Sequence, residues 1–201
     1  ADCLRQHAPA YLEKFGRSVP RRHRQVLGLI TRCRTGSLGG VQYHCDGCGR
    51  DHWVGRSCGN RHCPNCGKVR TYKWLSKQSS RLMPVHHFLV TFTVPKELRS
   101  LLRRNQAIGY RALFNAGADS MRDVGSATKS LHGCQLGFFG VLHTWGRDPM
   151  IYHPHVHFVV AGGGVSKYGS RWQAAPANFL LPEKAASKVY RAKFRDAMRE
   201  A

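Results

Sequence analysis

Acidic side chains are scarce in this chain: 11 Asp and Glu stand against 32 Lys and Arg in 201 residues, a formal charge of +21. A domain of this size needs no such imbalance for solubility, and like charges repel one another in the folded state. Phosphates neutralise the excess, and counterion release then supplies much of the affinity, so nucleic acid is the expected partner. The charge is spread along the chain, with 16 basic and 4 acidic residues up to residue 84 and 16 and 7 after it. Both halves are therefore expected to meet the polyanion. Any run of roughly 18 apolar residues is also missing, which excludes a helical membrane span. No signal peptide precedes Ala1, and the protein is read as intracellular. There is no internal repeat and no low-complexity tract.

Apolar residues are thin between residues 33 and 67, where Gly and Cys concentrate. Turns and short strands are expected there, held by something other than a hydrophobic core. Before it, residues 4 to 32 have helical spacing interrupted by "GRSVPRRHR", which predicts two short helices around a basic turn. After it, "KVRTYKWLSKQSSRLM" reads as a helix and "PVHHFLVTFTVP", bounded by Pro84 and Pro95, as a strand. A domain boundary is placed here, giving 1–84 and 85–201. Residues 96 to 124 return to helical spacing. The segments "LGFFGVLHTWG" and "HVHFVVAGG" follow as apolar strands, a hairpin or adjacent antiparallel pair separated by "RDPMIYHP". From Pro182 one more helix buries Ala186, Val189, Tyr190, Phe194 and Ala197 on one face. The fold class is α+β.

Seven of the eight cysteines lie before residue 67, a clustering that points to metal rather than disulfides. Cys45 and Cys48 in "CDGC" and Cys63 and Cys66 in "CPNC" form two knuckles, each followed by glycine. Two such turns complete a tetrahedral zinc site, which would supply this segment's folding free energy. Cys33, Cys58 and His62 remain as candidates for a second zinc, joined by His44 or His52.

The second cluster is "YHPHVHFVV". Residues two apart in a strand share a face, so His155 and His157 point the same way and can hold one cation. Pro154 cannot donate to a strand ladder, so the regular strand is expected to begin near His155 and to leave His153 in the preceding turn. His143, in "GVLHTWG", becomes a third ligand if it lies opposite His155 across the strand pair. A divalent ion held by these imidazoles polarises a phosphoryl oxygen, which in a polycationic protein suggests phosphodiester cleavage or transfer.

His155, Val156 and His157 also resemble the HUH motif of rolling-circle nucleases. The order of "CRTGSLGGVQYHCDGCG", "SCGNRHCPNCG", "HHFLVTFTVPKELR" and "FGVLHTWGRDPMIYHPHVHFVVAGGG" is similar to that of the two-tyrosine HUH transposases of the IS91 family and their ISCR relatives, across about residues 20 to 200. The resemblance implies N-terminal helices with a zinc-ribbon-like module, then a ferredoxin-like HUH endonuclease domain with an antiparallel sheet. His155 and His157 would hold Mg or Mn near the scissile phosphate of single-stranded DNA. A tyrosine would attack it to give a 5′-phosphotyrosyl intermediate for rolling-circle transfer. The zinc domain would bind the single-stranded or hairpin ends of a mobile element, with Arg21, Arg22, Arg24, Arg61, Lys68, Arg70 and Lys73 as expected contacts. A bacterial, cytoplasmic, nucleoid-associated protein is implied. The family's paired tyrosines sit on a helix well after the HUH strand, and nothing before Ala201 matches it. The nucleophile is therefore expected after Ala201, and Tyr152 and Tyr190 are read as structural.

Two rivals stay open. A histidine-triad nucleotide hydrolase would use alternating histidines with His155 as nucleophile, although Pro154 occupies an apolar position of that pattern. A non-enzymatic zinc-ribbon nucleic-acid binder would keep the charge and the cysteines with structural histidines. Trp53, Trp74, Trp145 and Trp172 are read as core or interface filler, with base stacking as the alternative.

Overall fold

The computed structural model describes every residue except Pro149, Tyr168 and Ser170. It divides into two compact units, Ala1–Leu82 and Met83–Ala201, a division two residues before the boundary placed at residue 84. Among the described residues no helix is long and apolar enough to cross a membrane.

The first unit begins with helices α1 (Asp2–Phe15) and α2 (Arg21–Thr31), the expected pair around a basic turn. Arg5 of α1 joins them: its Nε donates to the Thr31 carbonyl at 3.0 Å and its Nη2 to the Cys33 carbonyl at 2.9 Å. These carbonyls lack partners within α2, so a guanidinium there satisfies them and complements the helix dipole. The contact also fixes Cys33 just past the helix end. A two-stranded hairpin follows, β1 (Gly40–His44) against β2 (Asp51–Gly55), in register from Gly40↔Gly55 to His44↔Asp51. Trp53 lies against Gly40, where an added Cβ would fall 2.2 Å from the indole, so only glycine admits the ring at that position. Helix α3 (Pro64–Ser79) starts with Pro at its first position, where no N–H is needed, and begins four residues before the expected "KVRTYKW" helix. The buried core of this unit is Ile30 with Cys33, Cys63 and Cys66, packed by Leu4, Val26 and Cys58.

The second unit is a sheet covered by helices on one face. Its strands are β3 (His87–Thr93), β4 (Cys134–Trp145), β5 (Tyr152–Ser166) and β6 (Trp172–Ala174). All pairings are antiparallel, with β5 central between β3 and β4, and β6 continuing the β3 side of β5. The helices are α4 (Arg99–Arg104), α5 (Gln106–Ala127) and α6 (Glu183–Arg199). Along β5 the residues Pro154, Val156, Phe158 and Val160 are buried while His153, His155, His157 and Val159 are only partly so. This period of two turns one face of the strand into the core and leaves the histidines on the other. Phe158 sits at the centre, with the rings of Phe114, Phe138 and Phe92 at 5.1, 5.5 and 6.1 Å. Gly140 makes room for it, since a Cβ there would lie 2.6 Å from the Phe158 ring. Ala186, Tyr190 and Phe194 of α6 complete this core, and the Lys193–Asp123 ion pair at 2.9 Å links α6 to α5.

The expectation that the strand starts near His155 is corrected: β5 begins at Tyr152 and contains Pro154. The pairing shifts between His143↔His155 and Trp145↔Tyr152, so two residues of β5 face one of β4. A bulge leaves a residue outside the ladder, and the proline's missing N–H therefore costs no regular hydrogen bond. The α+β class and the antiparallel sheet are as expected.

Candidate metal centres

The first unit brings Cys33, Cys58, Cys63 and Cys66 together, with all four sulfurs within 4.8 Å of one another. Cys33 and Cys66 Sγ are 3.6 Å apart, and Cys58 and Cys66 Sγ 3.7 Å. Four thiolates about 2.3 Å from a tetrahedral zinc lie about 3.8 Å from one another, so the donor set fits that ion. The four ligands come from three local devices. Cys33 follows α2, Cys58 follows the hairpin, and Cys63 and Cys66 lie at the start of α3. Burial pushes the Cys58 thiol up to about 12 and raises Cys33 as well. At Cys63 burial is outweighed by the backbone N–H groups of Cys66 and Asn65 and the thiols of Cys33 and Cys58, which bring it down to about 7. Cys63 therefore ionises readily, while Cys33 and Cys58 need a cation to do so.

This grouping departs from the expected set of Cys45, Cys48, Cys63 and Cys66. Cys45 and Cys48 are exposed at the hairpin turn, where the Cys48 and Gly49 N–H groups donate to the Cys45 carbonyl at 3.3 and 2.8 Å. The β1–β2 ladder of five residue pairs carries that turn about 14 Å beyond the strand ends near which Cys33 and Cys58 lie, at about 3.4 Å per residue. Cys33 and Cys58, assigned from sequence to a second zinc, thus join Cys63 and Cys66 in the main cluster. His62 stays outside it, exposed, with its Nε2 accepting from Arg61 Nε at 3.2 Å. His44 is engaged with Asp51 at 2.8 Å across the hairpin.

The expected DNA contacts are exposed side chains. Arg21, Arg22 and Arg24 occupy the first turn of α2, Arg61 precedes α3, and Lys68, Arg70 and Lys73 lie on it. Arg70 also donates to the Gly59 carbonyl at 3.1 Å, and Lys68 Nζ lies 5.9 Å from the Tyr72 ring centroid.

In the second unit His143, His155 and His157 each offer a ring nitrogen within 4.8 Å of the other two. His155 and His157 are two apart on β5, and His143 is the residue of β4 paired with His155. Hydrogen bonds set the ring states. His155 Nδ1 lies 2.8 Å from the His153 carbonyl; a carbonyl only accepts, so Nδ1 carries the proton and the Nε2 lone pair is left for a ligand. His157 Nδ1 lies 2.7 Å from Thr91 Oγ1, an arrangement that fixes the ring and turns its Nε2 toward His155 Nε2, 2.9 Å away. Adjacent ligands at about 2.1 Å from an octahedral Mg or Mn are about 3.0 Å apart, so this pair fits such an ion. Burial lowers His143 and His157 below the ordinary imidazole pKa, with repulsion among the three rings adding to it. Both are thereby kept neutral and ready to ligate.

His153 shares the face and is withheld from the cluster. Its Nδ1 accepts from Arg99 Nη2 at 3.1 Å, and its Nε2 is 2.8 Å from Thr93 Oγ1. With Nδ1 accepting, Nε2 must donate, and no lone pair remains for a metal. Sequence reasoning missed Thr91, Thr93 and Arg99 because a partner from another element shows only once the fold brings the two together.

Among the described residues, the tyrosine hydroxyls of this unit have partners away from the histidines. Tyr152 points to the face opposite His153, with its hydroxyl 3.0 Å from that of Tyr110, and burial pushes its pKa upward. Tyr190 is buried and donates to the Thr93 carbonyl at 3.1 Å. Tyr168 lies outside the described residues.

An α+β protein with a tetrathiol cluster in one unit and three converging imidazoles on a sheet in the other offers two candidate metal centres by its donor sets. Comparison with known proteins gives the family. Residues 3–94 match the family model described as "Transposase zinc-binding domain", of the IS91 type, and residues 137–201 match the one described as "Putative transposase". The chain is 36% identical over its whole length to "Putative transposase y4qJ" of Sinorhizobium fredii (strain NBRC 101917 / NGR234), covering 50% of that protein. Over 147 residues it is 35% identical to the transposase for insertion sequence element IS801 of Pseudomonas savastanoi pv. phaseolicola, covering 72% of this chain and 34% of that protein. Among solved structures it is similar to the conjugative relaxase TrwC in complex with oriT DNA in a metal-bound structure. That match has a TM-score of 0.45 and 18% identity, over 56% of this chain and 42% of that one. The chain belongs to the IS91 family of transposases. It spans half the length or less of these curated relatives.

Proposed function

We propose that this chain is the DNA-holding and metal-holding portion of an HUH-type transposase that cleaves and joins single-stranded DNA. The observation that carries the reading is the convergence of ring nitrogens of His143, His155 and His157 on one sheet face, with the His155 ring state fixed so that its Nε2 lone pair faces inward. Structural histidines would not need that arrangement. Mg or Mn held there would supply charge stabilisation to the phosphoryl oxygens of a scissile phosphate. Thr91 and the His153 carbonyl hold the two β5 imidazoles in place, and Arg99 and Thr93 keep His153 from competing.

The attacking hydroxyl is assigned, on the family resemblance, to a tyrosine beyond Ala201; the hydroxyls of Tyr152 and Tyr190 are turned to other partners. Its oxygen forms the bond to phosphorus as the bond to the 3′ oxygen breaks. The tyrosine proton is lost, and the leaving oxygen gains one to become a free 3′-hydroxyl. In the first unit, zinc at Cys33, Cys58, Cys63 and Cys66 orders α3, and the surrounding arginines and lysines bind the mobile element's terminal DNA.

The test uses the protein expressed to the length of its relatives with a single-stranded element end. A covalent protein–DNA adduct should form with Mn and be lost in His155→Ala and His157→Ala. Hydrolysis of a nucleoside phosphoramidate indifferent to chelators would favour the histidine-triad hydrolase instead. DNA binding with no adduct, unchanged by these variants, would favour the non-enzymatic binder.

A further inference from the structure

Trp145 ends β4 beside the histidine centre. Its indole is stacked on the His143 imidazole, with centroids 4.7 Å apart and planes inclined by 15°. His143 in turn meets His155 and His157 edge-on at 5.3 and 4.7 Å, so the rings run from the candidate metal ligands out to the indole. The outer end of this series is open, since Trp145 is 48% exposed. The connection that follows presents Arg147, Met150 and Ile151 to solvent as well, Met150 being 90% exposed. A half-open indole whose inner face is filled by an imidazole, in a unit with 16 basic and 7 acidic residues, calls for a ligand that is planar, apolar on its face and tied to negative charge. An unstacked nucleobase on its phosphate backbone has these properties. A base within a duplex does not, because both of its faces are already stacked.

We propose that Trp145 is a stacking platform for one nucleobase of single-stranded DNA, placed next to the phosphate that the histidine centre receives. This rests on the single-stranded DNA reading above and adds a base-binding subsite to it. The base extends the series His143–Trp145 outward, and its backbone is drawn by Arg147. Sequence tolerance is expected, because every base has a π-face, and Trp145 would set where along the strand the phosphate sits rather than which sequence is read.

The experiment uses the 201-residue protein, oligonucleotides with a fluorescent purine analogue at successive positions, and matched strands carrying an abasic site there. Mn binding is followed separately by electron paramagnetic resonance. At one position the analogue should be quenched by the wild type, and Trp145→Ala should weaken binding of the base-bearing strand about 5- to 100-fold. The same change should leave the abasic strand and Mn affinity within about twofold, while Trp145→Phe restores most of the binding. Two results would overturn the proposal and leave the histidine reading intact: no change in either strand, or an equal loss for both strands together with weakened Mn binding. The latter would mean that Trp145 only steadies His143. Failure of the wild type to bind Mn at the histidines, or to bind a single strand at all, would reject the underlying reading and the platform with it.

Discussion

Thr91 is paired with His157 across β3 and β5, and its hydroxyl lies 2.7 Å from His157 Nδ1. Valine has nearly the same shape and no hydroxyl. Thr91→Val should lower Mn affinity about 10- to 100-fold, as loss of a hydrogen bond behind a metal ligand does. Because Thr91 is exposed, the unfolding midpoint should hardly move. Titration calorimetry beside a urea melt separates the two effects, and equal losses in both would show that Thr91 serves the fold instead. At this scale the sequence was partly legible. The alternation of His155 and His157 around Val156 placed both histidines on one sheet face, since period two is a property of any strand. The role of Thr91 was not legible: "TFTVP" reads as strand wherever it pairs, and only register places one threonine behind a histidine.

The hairpin and its neighbours decide which cysteines act together. With β1 and β2 holding the Cys45–Cys48 turn away from the strand ends, the four-sulfur cluster belongs to Cys33, Cys58, Cys63 and Cys66. Cys33→Ser or Cys58→Ser should each abolish tight zinc binding and cost most of the helicity of the first unit, whose buried residues are mainly those thiols. Cys45→Ser with Cys48→Ser should retain that zinc and the helices. Metal analysis with far-ultraviolet circular dichroism distinguishes the outcomes, and the opposite pattern would restore the pairing of the two Cys-x-x-Cys knuckles. That pairing was the natural reading of spacing alone, which counts residues and cannot see that five ladder pairs separate the knuckle from its apparent partner. The strand pair bearing His143 and His155 was more legible. Two apolar strands joined by a short turn-rich link leave few registers, although the bulge that admits Pro154 into β5 was not visible beforehand.

For the molecule as a whole, the charge of +21 predicts DNA binding that weakens steeply with salt. Each phosphate contact to a single strand contributes about 0.7 to the slope of log K against log salt concentration. Replacing Lys68 and Lys73, both exposed on α3, by Gln should shallow the slope by about 1.4 if both contact phosphates. An unchanged slope, measured by fluorescence anisotropy across a salt series, would remove α3 from the DNA-binding surface. Composition alone supported this expectation, because net charge needs no fold to be read; which basic side chains are exposed required coordinates.

The central claim is that three of the four clustered histidines hold a divalent ion and the fourth does not. Mn binding measured on the wild type and on His143→Ala, His153→Ala, His155→Ala and His157→Ala tests it directly. The account predicts one tight site, lost or weakened at least about tenfold in the variants of residues 143, 155 and 157. It should be retained in His153→Ala, since the His153 carbonyl that orients His155 is backbone. Tight binding that survives His155→Ala, or that depends on the His153 ring as strongly as on the others, would contradict it.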